Sequence, residues 1–447
     1  MVFAHACARL ATRAEASAYS SRRAVLGRAA SVLVGGAALA VTGCRGTTRA
    51  AVPAPDLAAL AERYTRLTLQ LARHQPSLVE VWLGPPSWNE GMRVPVHVLK
   101  TNIVALAAEL ARVDSPAPPD TARLTYLRGQ AAALDAAAGR LLGENQPFAD
   151  EAQRSLGHAP PTRDAAALDA LRRDLSTALP SGRGTLAERH AAFRHAHAVP
   201  ADRVETVFTA AVAWCRDAAR PLLPLPPGET LTTRAADETG WAAFSRPAGP
   251  LASDLWVSHR GGADAAQVLQ LAAHEGTPGH HAQHALATAE LVNGRGWLER
   301  ALTPAFGPHR LLAEGAAEAG ADLLLPLATR ERVCAELLLP AAGQAPAVAA
   351  RLVRVERLAA SLGEEVAHIA RAYLDSSRSM ETMTARLRDE ALVLDPAGML
   401  SFIEKQRSKV LAYPLGRRLV QEALGRVPAG EQWRRFAAIA TTLTLGE

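Results

Sequence analysis

The chain has 447 residues, enough to bury a large core as one helical domain or as two lobes. Its formal net charge is +5, but residues 1 to 43 hold five arginines and only one acidic residue. The remaining chain therefore has 44 basic and 43 acidic residues, a formal charge of +1. This balance removes the main electrostatic support for a nucleic-acid partner, and we predict none.

The N-terminal segment has the features of an export signal. Residues 21 to 27 read Ser-Arg-Arg-Ala-Val-Leu-Gly, an apolar run follows from 29 to 41, and Val-Thr-Gly-Cys ends at Cys44. This resembles a twin-arginine signal ending in a lipobox, and the apolar run is too short to span a bilayer. We expect residues 1 to 43 to be removed and Cys44 to be lipidated, which predicts an exported, membrane-anchored lipoprotein. The alternative is an ordinary cleaved signal in which Cys44 has no role.

Residues 44 to 55 form a short linker of small residues, and a helical period of apolar residues begins at Asp56. Residues 56 to 220 are predicted to be a helical N-terminal scaffold. After the first helix, the further helices are expected at roughly 98 to 113, 121 to 142, 163 to 179, 184 to 197 and 201 to 219.

Two groups of residues in the scaffold and beyond could be taken for functional sites. His190, His195 and His197 lie in a charged helix, and a solvated face is favoured over a second metal site. Cys215 and Cys334 are the cysteines left after Cys7 and Cys44, and two buried free thiols are favoured over a single disulfide.

A proline-rich segment at 221 to 227 begins the second half, and residues 221 to 447 are predicted to be the metal-binding catalytic region. Helical periodicity disappears from 230 to 259, where one or two short strands are expected. Such a strand would be either an edge strand that pairs with an extended peptide substrate or a plain packing hairpin. The helix periodicity returns after Asp264, a plausible N-cap, and the remainder of the chain is predicted to be helical, including a long segment at 349 to 374.

Residues 274 to 281, His-Glu-Gly-Thr-Pro-Gly-His-His, are the centre of the functional argument. Two imidazoles can hold Zn²⁺, and a glutamate between them can take a proton from the metal-bound water. On a straight helix, however, His274 and His280 would be separated by roughly 120° of rotation and roughly 9 Å of rise, and His281 would be roughly 10.5 Å along the axis. A break is therefore needed between them, and Gly276, Pro278 and Gly279 favour one there.

This motif resembles that of a bacterial family of unknown function related to the zinc metallopeptidases, among them thimet oligopeptidase and carboxypeptidase Taq. Those relatives carry His-Glu-x-Gly-His, so the motif here reads as the same ending with two inserted residues. The resemblance implies that His280, rather than His281, is the second zinc ligand after His274.

A zinc site with two imidazoles needs a third protein ligand, and a carboxylate from a following helix is a common solution. Glu314 resembles the first residue of the family's Glu-Gly-Trp-Ala motif, although Ala316 stands in place of the Trp. Glu318 lies one turn further on the same helix face and could hold a ligand histidine through its other ring nitrogen. The alternative is that both acids are exposed helix charges, but their neighbours are largely apolar.

Near the C-terminus, the segment that begins at Tyr413 resembles the family's Tyr-x-x-Gly element. A phenol directed at the zinc could stabilise the oxyanion of a tetrahedral intermediate, and the alternative is a structural tyrosine beside a proline turn. Asp375 aligns with an Asp-Thr-Gly-x-His segment of the family, but Ser379 replaces the His, so any catalytic duty of that His is absent.

These features predict a mainly α fold, a large helical zinc-metallopeptidase-like structure with a small β element beside the metal helix. We predict a zinc-dependent hydrolase, most readily a peptidase acting on a peptide or small amide, with Zn²⁺ held by His274, His280 and Glu314 and with Glu275 as general base. The competing hypotheses are a non-catalytic envelope lipoprotein with the same fold and a hydrolase of non-peptide amides or esters. The sequence does not fix the oligomeric state.

The lipobox prediction is tested by Cys44→Ala. Because the lipid would be the only anchor, this variant should leave the membrane fraction and fold normally, as measured by cell fractionation and circular dichroism. Unchanged membrane association would point to a different anchor.

Overall fold

The computed structural model describes residues 56 to 114, 120 to 237, 242 to 376 and 378 to 445. The predicted signal, the lipidation site Cys44 and the linker at 44 to 55 lie outside these residues. The fold is mainly helical with two small sheets, which confirms the predicted fold class. Among the described residues, no helix has the length and apolar character needed to cross a bilayer.

The first half of the described chain is helical apart from one short strand, β1 (Val79–Trp82). The helices are α1 (Leu57–Ala72), α2 (Val96–Ala111), α3 (Asp120–Leu141), α4 (Phe148–Leu156), α5 (Ala165–Ala178), α6 (Leu186–Ala196) and α7 (Val204–Ala219). Each helix expected from periodicity is present. Helix α4 was not predicted, because nine residues are too few to establish a period of apolar positions.

Three strands follow where one or two were expected: β2 (Thr230–Ala236), β3 (Ala243–Gly249) and β4 (Ala252–Ser258). They form a sheet of order β2-β4-β3, in which β4 runs parallel to β2 and antiparallel to β3. A further strand, β5 (Leu302–Pro304), pairs with β1. The three-stranded sheet therefore lies within the predicted catalytic region, and the β1–β5 sheet joins that region to the predicted scaffold.

The remaining helices of the described chain begin after Asp264, whose side chain accepts hydrogen bonds from the backbone N–H groups of Ala266 and Gln267, as predicted for an N-cap. They are α8 (Ala265–Glu275), α9 (His280–Ala287), α10 (Gly307–Leu324), α11 (Leu327–Val333), α12 (Leu339–Ala341), α13 (Ala349–Ser361), α14 (Gly363–Leu374), α15 (Met380–Asp389), α16 (Pro396–Gln406), α17 (Ala412–Gly425) and α18 (Gln432–Thr442).

The long helical segment predicted at 349 to 374 consists of two helices, α13 and α14. The chain leaves the helical conformation at Leu362 (ψ 1°) and restarts as α14. The two helices belong to different hydrophobic clusters, since Leu352 lies in the cluster around α8 whereas Val366 packs with α16 and α17. An apolar period continues across such a bend, so the sequence pattern does not reveal it.

Three of the four hydrophobic clusters of the described residues are large, and α10 lies where these three meet. Ala316 of α10 belongs to the largest cluster, which extends from Leu168 in α5 to Leu443. Leu311 belongs to a second cluster, and Phe306, just before the helix, packs with α1 to α3 in a third. The largest cluster thus crosses the predicted boundary at residue 220.

A pair of glycines lets α10 and α17 approach closely. A Cβ added to Gly315 would lie 2.3 Å from the backbone carbon of Gly416, and one added to Gly416 would lie 2.2 Å from the backbone oxygen of Leu311. Any side chain at either position would push the two helices apart. Tyr413 lies one turn before Gly416 on α17. The close contact between the two helices therefore sets the position of Tyr413.

The predicted free thiols are confirmed: Cys215 and Cys334 are buried and unpaired. Burial raises the pKa of each thiol to about 12, so neither is reactive near neutral pH.

The buried carboxylate of Glu365 offers a test of the packing between helices. It is fully buried and contacts the guanidinium groups of Arg163 (2.9 Å), Arg172 (3.5 Å) and Arg386 (3.6 Å). Glu365→Ala should lower the free energy of unfolding by about 2 kcal/mol, because the charge-assisted hydrogen bonds from Arg163 to this buried carboxylate are lost. Urea unfolding would measure this difference.

Glu364 is the matched control, since it occupies the same first turn of α14 but is 37% exposed and has only a 3.8 Å contact with Arg418. Glu364→Ala should change the unfolding free energy by less than about 0.5 kcal/mol. Equal losses in both variants would contradict the assigned role of Glu365.

Candidate metal centre

A two-residue bulge joins α8 to α9 and brings the two histidines together. The backbone N–H of Gly279 donates to the oxygen of Ala273 (3.0 Å), and that of Ala282 donates to Gly276 (3.4 Å). Both bonds span six residues instead of the helical four. His280 therefore returns beside His274, with ring centroids 4.9 Å apart. The predicted break lies where the glycines and the cis Thr277-Pro278 peptide are found.

Gly279 is required by this geometry. A Cβ at this position would lie 1.8 Å from the backbone oxygen of His274. Only a residue without a side chain permits the chain to double back against the end of α8.

The structure brings His274, His280 and Glu314 into one cluster. The Oε2 atom of Glu314 lies 3.1 Å from Nε2 of His274 and 3.5 Å from Nε2 of His280, and the three ligand-type atoms lie within 4.8 Å of one another. In a tetrahedral zinc site with bonds of about 2.0 to 2.1 Å, neighbouring ligand atoms are roughly 3.3 Å apart. The cluster can therefore hold a metal ion with three protein ligands and an open fourth position.

Each of these ligand-type side chains is oriented by a further residue. Nδ1 of His274 lies 3.2 Å from Glu318, which also accepts a hydrogen bond from Gln270. Nδ1 of His280 lies 3.4 Å from the side-chain oxygen of Gln283. Glu318 was predicted to hold a ligand histidine without a choice between them, and here it contacts His274; such contacts fix the ring orientation of metal ligands.

The second oxygen of Glu314 contacts the guanidinium group of Arg310, one turn earlier on α10. Arg310 also donates two hydrogen bonds to Glu80 of β1, at 2.9 and 3.1 Å. Sequence reasoning missed both residues. The four-residue spacing of Arg310 and Glu314 is a readable signal, whereas no local pattern connects Glu80 with residues that follow it by more than 200 positions.

The charges of the cluster favour an ionised Glu314. Burial opposes its ionisation, but Arg310 and the two imidazoles overcome this effect and hold the pKa of Glu314 well below its usual value. Burial also disfavours the charged form of His274, yet Glu314 and Glu318 raise its pKa well above the usual value. The site thus strongly favours a cation between these carboxylates.

Glu275 and Tyr413, the predicted catalytic residues, lie beside the cluster. Glu275 is 3% exposed, ends α8, and burial raises its pKa. The ring of Tyr413 stacks near that of His274, with centroids 6.4 Å apart. Burial and the nearby Glu314 carboxylate raise the pKa of Tyr413 well above its usual value, so the phenol remains protonated.

His281 does not face the cluster. It is fully buried, and its two ring nitrogens lie 2.9 Å from Ser253 of β4 and 2.9 Å from Glu229. Glu229 in turn accepts hydrogen bonds from Arg216 of α7. His281 therefore joins α9 to the sheet, and both of its nitrogens are engaged away from the metal ligands.

The cluster opens into a cavity of about 630 Å³, within the range of small-molecule and peptide sites. His274, Glu275, His280 and Glu314 line it, together with Ser245 and Pro247 of β3. Among the described strands β3 is an edge of its sheet. A second cavity of about 410 Å³ also borders His274 and Glu275 and includes Tyr413.

The predicted solvated face of α6 was wrong for His190. Its side chain is 3% exposed and lines the large cavity, because α6 packs its charged-looking surface against the start of α8 through an ion pair of Arg194 and Asp264 (3.0 Å). His195 is exposed, as expected, and His197 is half-buried with its Nδ1 atom 2.8 Å from the backbone oxygen of Phe193.

Asp375 and Ser379 have structural roles. Asp375 accepts a hydrogen bond from the backbone N–H of Phe148 at the start of α4 (2.6 Å), and Ser379 is the N-cap of α15. Neither is among the residues that line the metal-site cavities.

No protein-family model matches the chain, and no curated protein matches it. Among solved structures it is similar to a candidate lipoprotein from Colwellia psychrerythraea, with 13% identity and a TM-score of 0.48, covering 78% of this chain and 66% of that one. It is also similar to a candidate lipoprotein of unknown function from Shewanella oneidensis, with 10% identity and a TM-score of 0.47, covering 78% and 72%. Likenesses at these TM-scores establish neither relationship nor function, so the relation to zinc metallopeptidases stays a prediction from the motif.

The bulge is tested by Gly279→Ala. The added Cβ would displace the backbone of His274, so this variant should lose metal binding by at least about tenfold, measured by titration with Zn²⁺. Gly425→Ala is the control, since nothing lies within 4 Å of a Cβ added there. Normal affinity in Gly279→Ala would show that the bulge does not position the ligands.

Proposed function

We propose that the protein is a zinc-dependent hydrolase, most readily a peptidase. The observation that supports this most directly is the cluster of His274, His280 and Glu314, with contacts of 3.1 and 3.5 Å around Oε2 of Glu314. Two imidazoles and one carboxylate with an open position are the donor set of hydrolytic zinc sites, whereas structural sites are usually closed by four ligands.

A bound zinc ion would supply an acidified water and would polarise a carbonyl oxygen. Glu275 is then the general base. It lies next to a ligand in sequence, lines both cavities, and is absent from the ligand cluster itself. Burial raises its pKa, which brings the carboxylate nearer to the basicity that a general base needs at neutral pH.

Tyr413 is proposed to stabilise the developing oxyanion. Arg310 forms a hydrogen bond with this phenol. A guanidinium can only donate a hydrogen bond, so the phenol oxygen of Tyr413 accepts the bond from Arg310. The phenol proton of Tyr413 takes no part in that bond. A donor held in place before the reaction stabilises negative charge without reorganisation.

A peptide is the favoured substrate because of the edge strand. Ser245 and Pro247 place β3 along the cavity wall, and an extended peptide can add to such an edge by backbone hydrogen bonds. The site would act outside the cytoplasm, held at the membrane by lipid on Cys44.

The competing function is an envelope lipoprotein that binds metal at this site without hydrolysing a substrate. The metal cluster is common to both hypotheses, and catalysis alone separates them.

Metal content is the first test. After metal-free purification and zinc repletion, the chain should hold about one zinc ion, and His274→Ala should lose it, as measured by elemental analysis. A chain that takes up no transition metal would contradict the site assignment.

The second test separates metal binding from catalysis. Glu275→Gln should bind zinc normally and hydrolyse a mixed peptide library at least roughly 100-fold more slowly, the scale expected for loss of a general base. Glu314→Gln should instead weaken zinc binding, because a charged ligand is lost.

Equal loss of zinc in the two variants would make Glu275 a ligand. Wild-type protein that holds zinc but cleaves no peptide, ester or small amide would favour the non-catalytic envelope function.

A further inference from the structure

The large cavity continues along α8, away from the metal cluster. Gln267 precedes His274 by seven residues, which places the two side chains on one face of the helix and roughly 10.5 Å apart along its axis. Both line the same cavity. The cavity wall therefore follows two turns of the metal helix towards its N-terminus.

Three buried polar side chains line that end of the cavity. His190, Gln267 and Glu356 are 3%, 9% and 8% exposed, and all three line the cavity. Within the described part of the chain, neither ring nitrogen of His190 has a hydrogen-bond partner. The side chains of Gln267 and Glu356 likewise form no hydrogen bond or ion pair with the described residues. Buried polar groups are rarely left unsatisfied, so the unpartnered ring of His190 beside these two polar side chains indicates a site completed by a ligand.

Arg194 shows that these side chains belong to one cluster. It lies one turn after His190 on α6, and its charge acts on both His190 and Glu356. It also pairs with Asp264 (3.0 Å), whose other oxygen accepts from the backbone N–H of Gln267.

Arg330 and Arg194 act on the charge of Glu356, but among the described residues Glu356 forms no ion pair, because each arginine contacts another carboxylate. Arg194 is neutralised by Asp264, and Arg330 contacts Asp322 at 3.2 Å. Burial and the charge of Arg194 lower the pKa of His190 to about 3, so its ring is neutral and can accept a hydrogen bond. Burial raises the pKa of Glu356, and a cationic ligand would favour its ionised form.

The cluster therefore offers three acceptors: a carboxylate, a neutral ring nitrogen and an amide oxygen. A primary ammonium group has three donors and no acceptor. The three acceptors match the three donors in number, and the ionised carboxylate of Glu356 matches the ammonium group in charge.

We propose that His190, Gln267 and Glu356 form a subsite for a primary ammonium group of the substrate whose scissile bond lies at the metal cluster. This inference rests on the proposed peptidase function. Gln267 and His274 are roughly 10.5 Å apart along α8. At about 3.3 Å per extended residue, this distance corresponds to about three residues between the ammonium group and the scissile bond. The group would be either the N-terminal amine of a short peptide or a lysine side chain.

Binding tests the subsite without requiring turnover. Zinc-loaded Glu275→Gln protein would be titrated calorimetrically with a free peptide, its N-acetylated form, and acetylated peptides that carry lysine or norleucine at successive positions. The peptide with the ammonium group should bind about tenfold or more tightly than its acetylated or norleucine counterpart, the scale of a charge-assisted hydrogen bond. Loss on acetylation identifies the N-terminal amine, and a lysine preference identifies the side chain.

A second substitution assigns the preference to the cluster. Adding Glu356→Gln should reduce the ratio of affinities to below about threefold, while zinc content stays at the wild-type level. The exposed Glu381→Gln is the matched control and should keep the full ratio. If Glu356→Gln does not fold, His190→Phe serves as the second variant.

The two proposals fail in different ways. Equal affinity for ammonium and acetylated peptides, or no binding of either, overturns the subsite. Ammonium-selective binding together with no hydrolysis by the wild-type enzyme keeps the subsite as a binding site and contradicts the peptidase.

Discussion

The bulge between α8 and α9 is the constraint on which the rest of the site depends. A regular helix would carry His280 roughly 9 Å beyond His274, and no rearrangement of side chains would recover that distance. The backbone N–H of Gly279 donates to the oxygen of Ala273, six residues earlier. A helical bond spans four residues, so two extra residues are accommodated in the bulge before the helix continues. Because Gly279 has no side chain, the backbone of His274 can approach it closely.

Helix α10 fixes the third ligand against this bulge. It lies between three hydrophobic clusters, so it cannot shift without disturbing each of them. Glu314 is 1% exposed, and a buried carboxylate is tolerated only when it is paired. One carboxylate oxygen of Glu314 contacts Arg310, and the other lies near the imidazoles of His274 and His280. The position of the carboxylate is therefore determined by both packing and charge.

The N-terminal helices contribute to the site as well as to the core. Glu80 of β1 holds Arg310, while His190 and Arg194 of α6 form the far wall of the cavity. The polarity of that wall is unusual, since buried groups without partners destabilise a fold. Their retention at one end of a cavity that begins at a metal cluster is consistent with a substrate that reaches both.

Sequence alone determined the features that depend on local spacing. The helices up to residue 219 other than α4, the N-cap at Asp264 and the break between His274 and His280 follow from the helical period or from glycine and proline chemistry. These rules act over a few residues, so they can be read from one chain. The choice of His280 over His281 came from the resemblance, and the geometry places His280 in the cluster.

Tertiary structure decided what depends on distant residues. The third strand of the small sheet, the bend at Leu362, the burial of His190 and the contact of Glu80 with Arg310 have no local pattern. Periodicity reports that a face is apolar or charged, but it does not report which element will cover that face. His190 illustrates this limit. Its helix is rich in charged residues, which predicts exposure to solvent, but the ion pair of Arg194 with Asp264 packs that helix against α8.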